Sequence, residues 1–265
     1  MNLLVIGKNS ILCKFFIKHT SIKTIDVFSY RDISKINFKK YTHIVNFSYN
    51  PKLRSERYSE KYDIDLKIAK YLTKKTIYVM LSSRYVYNHS NSIPFLENSQ
   101  RKGMNIYGKN KIIVENKLKY ILKKRLLILR IGTFLYYSLE KKDLFINILL
   151  NKLKKYHKIV FDLNKNIIKD FLTDIFFVKN LDILLKNNIV GIFNLSSGIA
   201  IKPTLIATRI IEGYREGKIE FSRYRKKDRS FVLNTKKLFK ITNIKTCKKE
   251  ILEFARKIGN RLKNE

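Results

Sequence analysis

The feature that most constrains this chain is an alternation. Short apolar runs rich in β-branched residues stand at 3–7 (LLVIG), 24–28 (TIDVF), 43–47 (HIVNF), 76–81 (TIYVML) and 126–132 (LLILRIG). Stretches with helical spacing lie between them, at 10–20, 59–74 and 107–124. Runs of this length without polar alternation fit strands buried on both faces. Strand, helix, strand repetition predicts an α/β fold, a Rossmann doubly wound parallel sheet. Beyond residue 140 the pattern changes to helices near 142–155, 174–187, 203–214 and 246–263, with KIVFD and GIFNLSS as short strands among them. That predicts a smaller mixed C-terminal lobe, with an approximate boundary near 160 and some interleaving of the two parts.

Composition narrows the class of protein. With 265 residues and 45% apolar content, the chain can bury a sizeable core, which argues against intrinsic disorder. Cys13 and Cys247 are the only cysteines, so neither a disulfide framework nor a zinc site has its ligands, and a reducing cytoplasm is the expected home. No apolar run approaches the ~18 residues of a membrane span, and the start MNLLVIG carries no charged n-region; a soluble protein without a removed leader is expected. The net charge of +35 raises nucleic acid as a partner. The charge is nevertheless spread along the chain, and lysine supplies 42 of the 56 cations, whereas the planar fork suited to phosphate belongs to arginine. A solvated basic surface is the simpler reading.

In VIGKNSILC the first strand ends at Gly7 and a helix begins near Ser10, with Ile11 in its first turn. This is where a Rossmann fold presents backbone N–H groups to a pyrophosphate. At the spacing GxxGxxG the positions are Gly7, Ser10 and Cys13, so only the tight-turn glycine is present. About 20 residues later such folds place an acid for the adenosine ribose or an arginine for a 2′-phosphate. Here DVFSYRDI offers Ser29, Arg31 and Asp32, which leans toward NADP over NAD. Asn46, Phe47 and Ser48, after the third apolar run, either touch the cofactor or cap a loop.

NIYGKNKIIVEN places Tyr107 four residues before Lys111. Chance alone supplies roughly two or three Tyr-x-x-x-Lys matches in a chain this rich in both. Five occur: Tyr71/Lys75, Tyr107/Lys111, Tyr120/Lys124, Tyr137/Lys141 and Tyr214/Lys218. Only Tyr107/Lys111 follows a strand whose end carries hydroxyls, Ser82 and Ser83, and opens a helix on which i, i+4 residues share a face. A phenol is a poor acid or base at neutral pH, and an adjacent ammonium favours its phenolate. Ser83 can then hydrogen-bond the reacting oxygen. The set suits proton transfer coupled to hydride chemistry.

These segments resemble the extended short-chain dehydrogenases/reductases, in the branch that modifies nucleotide-activated sugars. VIGKNSILC resembles the glycine turn, HIVNFSYNP the segment near the cofactor, LSSRYVYN the serine/threonine strand end and NIYGKNKIIVEN the Tyr-x-x-x-Lys helix. LILRIGTFLY, KDFLTDIFFV and GIFNLSSG follow in the family's order. The resemblance implies an NAD(P)-binding domain over 1–160 and a substrate-binding lobe over 161–265. Ser83, Tyr107 and Lys111 would be catalytic, with Lys111 also on the nicotinamide ribose. Gly7, Ser10, Ile11, Arg31, Asp32, Asn46, Phe47 and Ser48 would meet the cofactor, and Ser83, Arg84, Tyr85, Tyr107 and Lys169 the sugar nucleotide. Dehydratases of this branch carry an acidic pair where Arg84 and Tyr85 stand, which disfavours 4,6-dehydration. A 4-epimerase or a 4-ketosugar reductase remains, acting at a C4 keto or hydroxyl group in surface polysaccharide synthesis of the O-antigen kind. The competing reading is a non-catalytic Rossmann scaffold that binds RNA or protein through its basic surface. The helices at 59–74 and 107–124 either serve a homodimer or belong to the core.

Other residues attract attention without forming a site. His19, His43, His89 and His157 show no metal or triad spacing, so no metal is expected. Asp63 and Asp65, two apart on a helix, are expected to point in different directions.

Overall fold

The computed structural model describes residues 1–88, 93–139, 145–162, 164–222 and 229–265; His89, Lys141 and the first residues of the helix expected from 142 lie outside them. In chain order the elements are β1 (Leu3–Ile6), α1 (Ile11–His19), β2 (Ile25–Phe28), β3 (His43–Asn46), α2 (Lys52–Ser55), α3 (Ile64–Ala69), β4 (Ile77–Ser83), α4 (Ile106–Leu122) and β5 (Leu126–Ile131). They continue as β6 (Thr133–Leu135), α5 (Phe145–Tyr156), β7 (Lys158–Phe161), β8 (Phe171–Thr173), α6 (Asp174–Lys186), β9 (Gly191–Leu195), α7 (Pro203–Tyr214), β10 (Lys218–Phe221), α8 (Lys236–Thr242) and α9 (Lys248–Lys263).

The apolar runs become one parallel six-stranded sheet in the order β2-β1-β3-β4-β5-β9. Every residue of β1, β3 and β5 is buried, as strands covered on both faces require. The chain leaves β1 for β2 on one side and returns for β3 on the other. The switch point, where open α/β sheets bind ligands, therefore lies at the carboxyl ends of β1 and β3, just before Gly7 and Phe47.

Two compact units result. The first comprises Met1–Ile131, Asp174–Leu195 and Asn234–Ile244, and holds the whole six-stranded sheet. The second comprises Gly132–Thr173, Ser196–Leu233 and Lys245–Glu265. Residues 132–160 thus lie in the second unit, and GIFNL, expected as a strand of the smaller lobe, is β9 at the edge of the main sheet. Its pairing with β5 explains the exchange, because Leu127 to Ile131 align with Gly191 to Leu195 in continuous register. Within the second unit β6 pairs with β8 and β7 with β10, both parallel. There α7 and α9 press backbone to backbone at Gly213 and Gly259, where any Cβ would strike the facing helix.

The helix expected over 59–74 is shorter. A 3₁₀ turn at Glu60–Tyr62 precedes α3, because Asp63 accepts the Leu66 N–H (3.0 Å) and starts the α-helix afresh. On α4 the residues Val114, Leu118 and Leu122 enter the core, while Tyr120 and Ile121 remain exposed.

Candidate active site

β4 and α4 carry the three residues singled out as chemical, and the structure ties these two elements together at successive points. Ser83 ends β4, and its hydroxyl caps the 3₁₀ turn Arg84–Val86 by accepting the Tyr85 N–H (3.3 Å). The Tyr85 carbonyl in turn accepts from Met104 N (2.8 Å), one residue before the α4 cap. Asn105 caps α4 through Gly108 N (2.9 Å), and a Cβ at Gly108 would collide with the Tyr85 carbonyl. The first turn of α4, bearing Tyr107, is therefore seated directly on the turn that follows Ser83.

Two further bonds pin the helix one and two turns on. Lys111, 3% exposed, donates from Nζ to the Leu81 carbonyl (2.8 Å). Ser82 donates to Glu115 (2.6 Å), which also takes two bonds from Arg130 (3.0 and 2.7 Å) and one from Arg101 (2.9 Å). Burial alone would raise the Glu115 carboxyl, but the Arg130 bonds and charge, with Ser82 and Arg101, outweigh it and hold the group below the usual carboxylate range. Arg130 donates onward to the Tyr87 hydroxyl (3.0 Å) and the Glu97 carbonyl (2.7 Å).

Aromatic rings complete the neighbourhood. Tyr107 stands perpendicular to Tyr49, centroids 5.2 Å apart, and near-perpendicular to Tyr85 at 6.0 Å. The Lys111 ammonium lies 4.2 Å from the Tyr49 centroid and 6.0 Å from that of Tyr107. Arg84, nearly buried, stacks on the Tyr85 ring (5.0 Å) and donates to its hydroxyl (3.3 Å). Lys169 belongs to the second unit, where its backbone bridges Ile201 and Phe231.

Of the expected cofactor residues, Gly7, Phe47 and Ser48 meet at the switch point. Gly7 has φ +118°, and a Cβ there would press on Ser48 and Phe47. Ser10 makes no side-chain cap for α1, so that bond to the first-turn N–H groups, Ile11 among them, is left unmade. The Ser48 hydroxyl beside Gly7 is buried without a hydrogen-bond partner. A helix start without a side-chain cap and an orphaned hydroxyl at one turn fit a bound pyrophosphate. Phe47 is buried against Phe16 and Phe177. Arg31 is exposed beside Tyr30 at the end of β2, with Ser29 accepting its N–H, and Asp32 pairs with Lys35 (3.7 Å).

Asn46 performs the capping alternative: its carbonyl takes the Ser48 N–H (2.8 Å) and its amide reaches Asp65 (2.8 Å). Asp63 and Asp65 turn to different hydrogen-bond partners. Both are buried; Asp65 also accepts from Tyr78 (2.7 Å), and Asp63 from Tyr58 (2.9 Å). Because α3 begins at Ile64, Asp63 is its cap and not a helical neighbour. Burial, then the Asp65 charge, raises the Asp63 carboxyl to about 6. Tyr49, Asn110, Glu115 and Arg130 escaped the sequence reading. A signal existed for two of them: Glu115 continues the Tyr107, Lys111 face at i+8, and Arg130 interrupts an otherwise apolar buried strand.

No protein-family model matches the chain, and no curated protein matches its sequence. Solved structures do match in fold. UDP-N-acetylglucosamine 4-epimerase from Methanobrevibacter ruminantium superposes with a TM-score of 0.82 at 13% identity, over 98% of this chain and 97% of that one. RMD from Pseudomonas aeruginosa, solved with NADPH, gives 0.83 at 14% identity over 100% and 99%. A dTDP-4-dehydrorhamnose reductase from Clostridium acetobutylicum gives 0.77 at 16% identity over 99% of each chain. The chain shares their fold along essentially its whole length.

Proposed function

We propose that this chain is an NAD(P)-dependent nucleotide-sugar oxidoreductase or epimerase of the extended short-chain dehydrogenase/reductase kind, acting at a C4 keto or hydroxyl group. The observation that carries the reading is the stitching of α4 to the end of β4, which seats the first turn of α4 on the turn after Ser83 and ties Lys111 to the Leu81 carbonyl. The fold shared with an epimerase and a reductase of nucleotide sugars supports it. So does the fit of Gly7, Ser48 and the start of α1 to a pyrophosphate.

When bound, the nicotinamide supplies or accepts the hydride. Tyr107 then gives its phenolic proton to the C4 oxygen in reduction, or takes the hydroxyl proton in oxidation. Ser83 donates a hydrogen bond to the same oxygen and orients it. Lys111, held by the Leu81 carbonyl, meets the nicotinamide ribose. Arg31 and Ser29 at the end of β2 favour a 2′-phosphate, so NADPH is the preferred reductant. Arg84 and Tyr85 meet the sugar nucleotide in place of the acidic pair of dehydratases. The setting is surface polysaccharide synthesis.

The test is turnover of nucleotide-linked 4-ketohexoses with NADPH, followed by loss of absorbance at the nicotinamide band. Tyr107→Phe should slow it by about 10²-fold or more while leaving NADPH binding intact. Undiminished turnover by that variant would refute the assignment. A tightly retained NAD in the purified protein, with interconversion of C4 epimers and no net oxidation, would select the epimerase form.

A further inference from the structure

Tyr49 belongs to the loop that follows β3, yet its ring meets both members of the Tyr107/Lys111 pair. We propose that Tyr49 is a positioning residue: its ring face holds the Lys111 ammonium in place, and its perpendicular contact braces the Tyr107 ring. The consequence for catalysis rests on the function proposed above; the geometry does not.

The Lys111 ammonium is taken almost wholly out of water, which is costly unless its charge is met. The Leu81 carbonyl satisfies one donor at 2.8 Å. At 4.2 Å the Tyr49 centroid is well inside the reach of a cation–π contact, and burial strengthens such a contact. The Tyr107 ring, at 6.0 Å from the same nitrogen, is at the limit of that reach. The ammonium is therefore centred on Tyr49 and merely adjacent to Tyr107.

Tyr49 is itself held by the helix that carries the pair. Its hydroxyl donates to the Leu53 carbonyl (2.9 Å), and the Asn110 amide donates to that same carbonyl (2.9 Å) and to Glu56 (2.8 Å). Asn110 precedes Lys111 in α4, so one turn of α4 both presents the ammonium and clasps the segment that bears the ring. Burial, with Tyr107 and Asp65 adding to it, pushes the Tyr49 phenol far above its ordinary range, so it stays neutral and is not an alternative acid or base.

The experiment is a proton–nitrogen correlation spectrum of the lysine side chains in protein labelled with ¹⁵N-lysine. A buried, hydrogen-bonded ammonium exchanges slowly and is visible where exposed ones are not, and the face of an aromatic ring shifts it upfield. Lys111→Met identifies the signal by its loss. The signal should keep its upfield position in Tyr49→Phe, which retains the ring. In Tyr49→Leu it should move downfield or vanish through faster exchange, and NADPH affinity should fall about tenfold. An unmoved signal in Tyr49→Leu overturns the proposal. Loss of the signal in folded Tyr49→Phe also overturns it, because the hydroxyl tether and not the ring would then be the support; this arm stands even if the leucine variant does not fold. Failure of wild-type protein to bind NADPH and NADH would refute the catalytic reading alone, since the lysine signal reports the ring contact without any cofactor.

Discussion

At the scale of single residues, the groups around Tyr107 are set by what burial does to each. Asp63 shows the effect most directly. Its carboxyl, raised from 3.8 to about 6, binds a proton more tightly in the folded chain than in the unfolded one. Its ionisation therefore opposes folding: the penalty is absent below the ordinary carboxylate value and complete above about 6. The stability of the wild type relative to Asp63→Asn should fall by roughly 2 to 3 kcal/mol between pH 4 and pH 6.5, read from denaturant midpoints. Asparagine keeps the helix cap, so the variant isolates the charge. A difference that stays flat across this range would mean that Asp63 is not held beside Asp65 out of water. The sequence shows both acids but not that α3 starts between them, nor that both are buried, so that the Asp65 charge adds to the rise of the Asp63 carboxyl.

At the scale of elements, the joint between β4 and α4 decides how well Ser83, Tyr107 and Lys111 stay in register. Glu115 and Arg130 are both essentially unexposed and share two hydrogen bonds. Removing one partner of such a buried pair leaves an uncompensated charge and typically costs about 3 to 5 kcal/mol. Glu115→Gln should therefore lower the midpoint of chemical unfolding by an amount in that range. Glu115→Gln together with Arg130→Met should recover part of the loss; a double variant as unstable as the sum would contradict the pairing. The strands and most helices of this unit were legible from apolar runs and helical spacing, because burial on both faces of a parallel sheet leaves a continuous apolar signal. Ser83, Tyr107 and Lys111 were legible as candidates because Ser83 ends a strand, Tyr107 opens a helix and Lys111 follows it at the i+4 spacing of one helix face. Tyr49 and Asn110 were not: both act through a loop and a four-residue helix, which have no periodicity to read.

At the scale of the whole molecule, the two units are each assembled from three separated stretches of chain, so a single boundary near 160 does not describe them. The short strand GIFNL shows why such a boundary is hard to read: nothing in a five-residue apolar run says which sheet it will join. Among the described residues no helix is long and apolar enough to cross a membrane, and no group of His, Cys, Asp and Glu is arranged to hold a metal. The net charge of +35 is carried mainly by lysines spread along the chain. The account's central claim is that the switch point at Gly7 and Ser48 receives a nicotinamide dinucleotide beside Tyr107. The most direct measurement is a titration of the native protein with NADPH and NADH, followed by nicotinamide fluorescence, together with analysis of any dinucleotide released on denaturation. The account predicts saturable one-to-one binding of exchangeable NADPH or a retained NAD; binding of neither would contradict it and favour a scaffold that has given up catalysis.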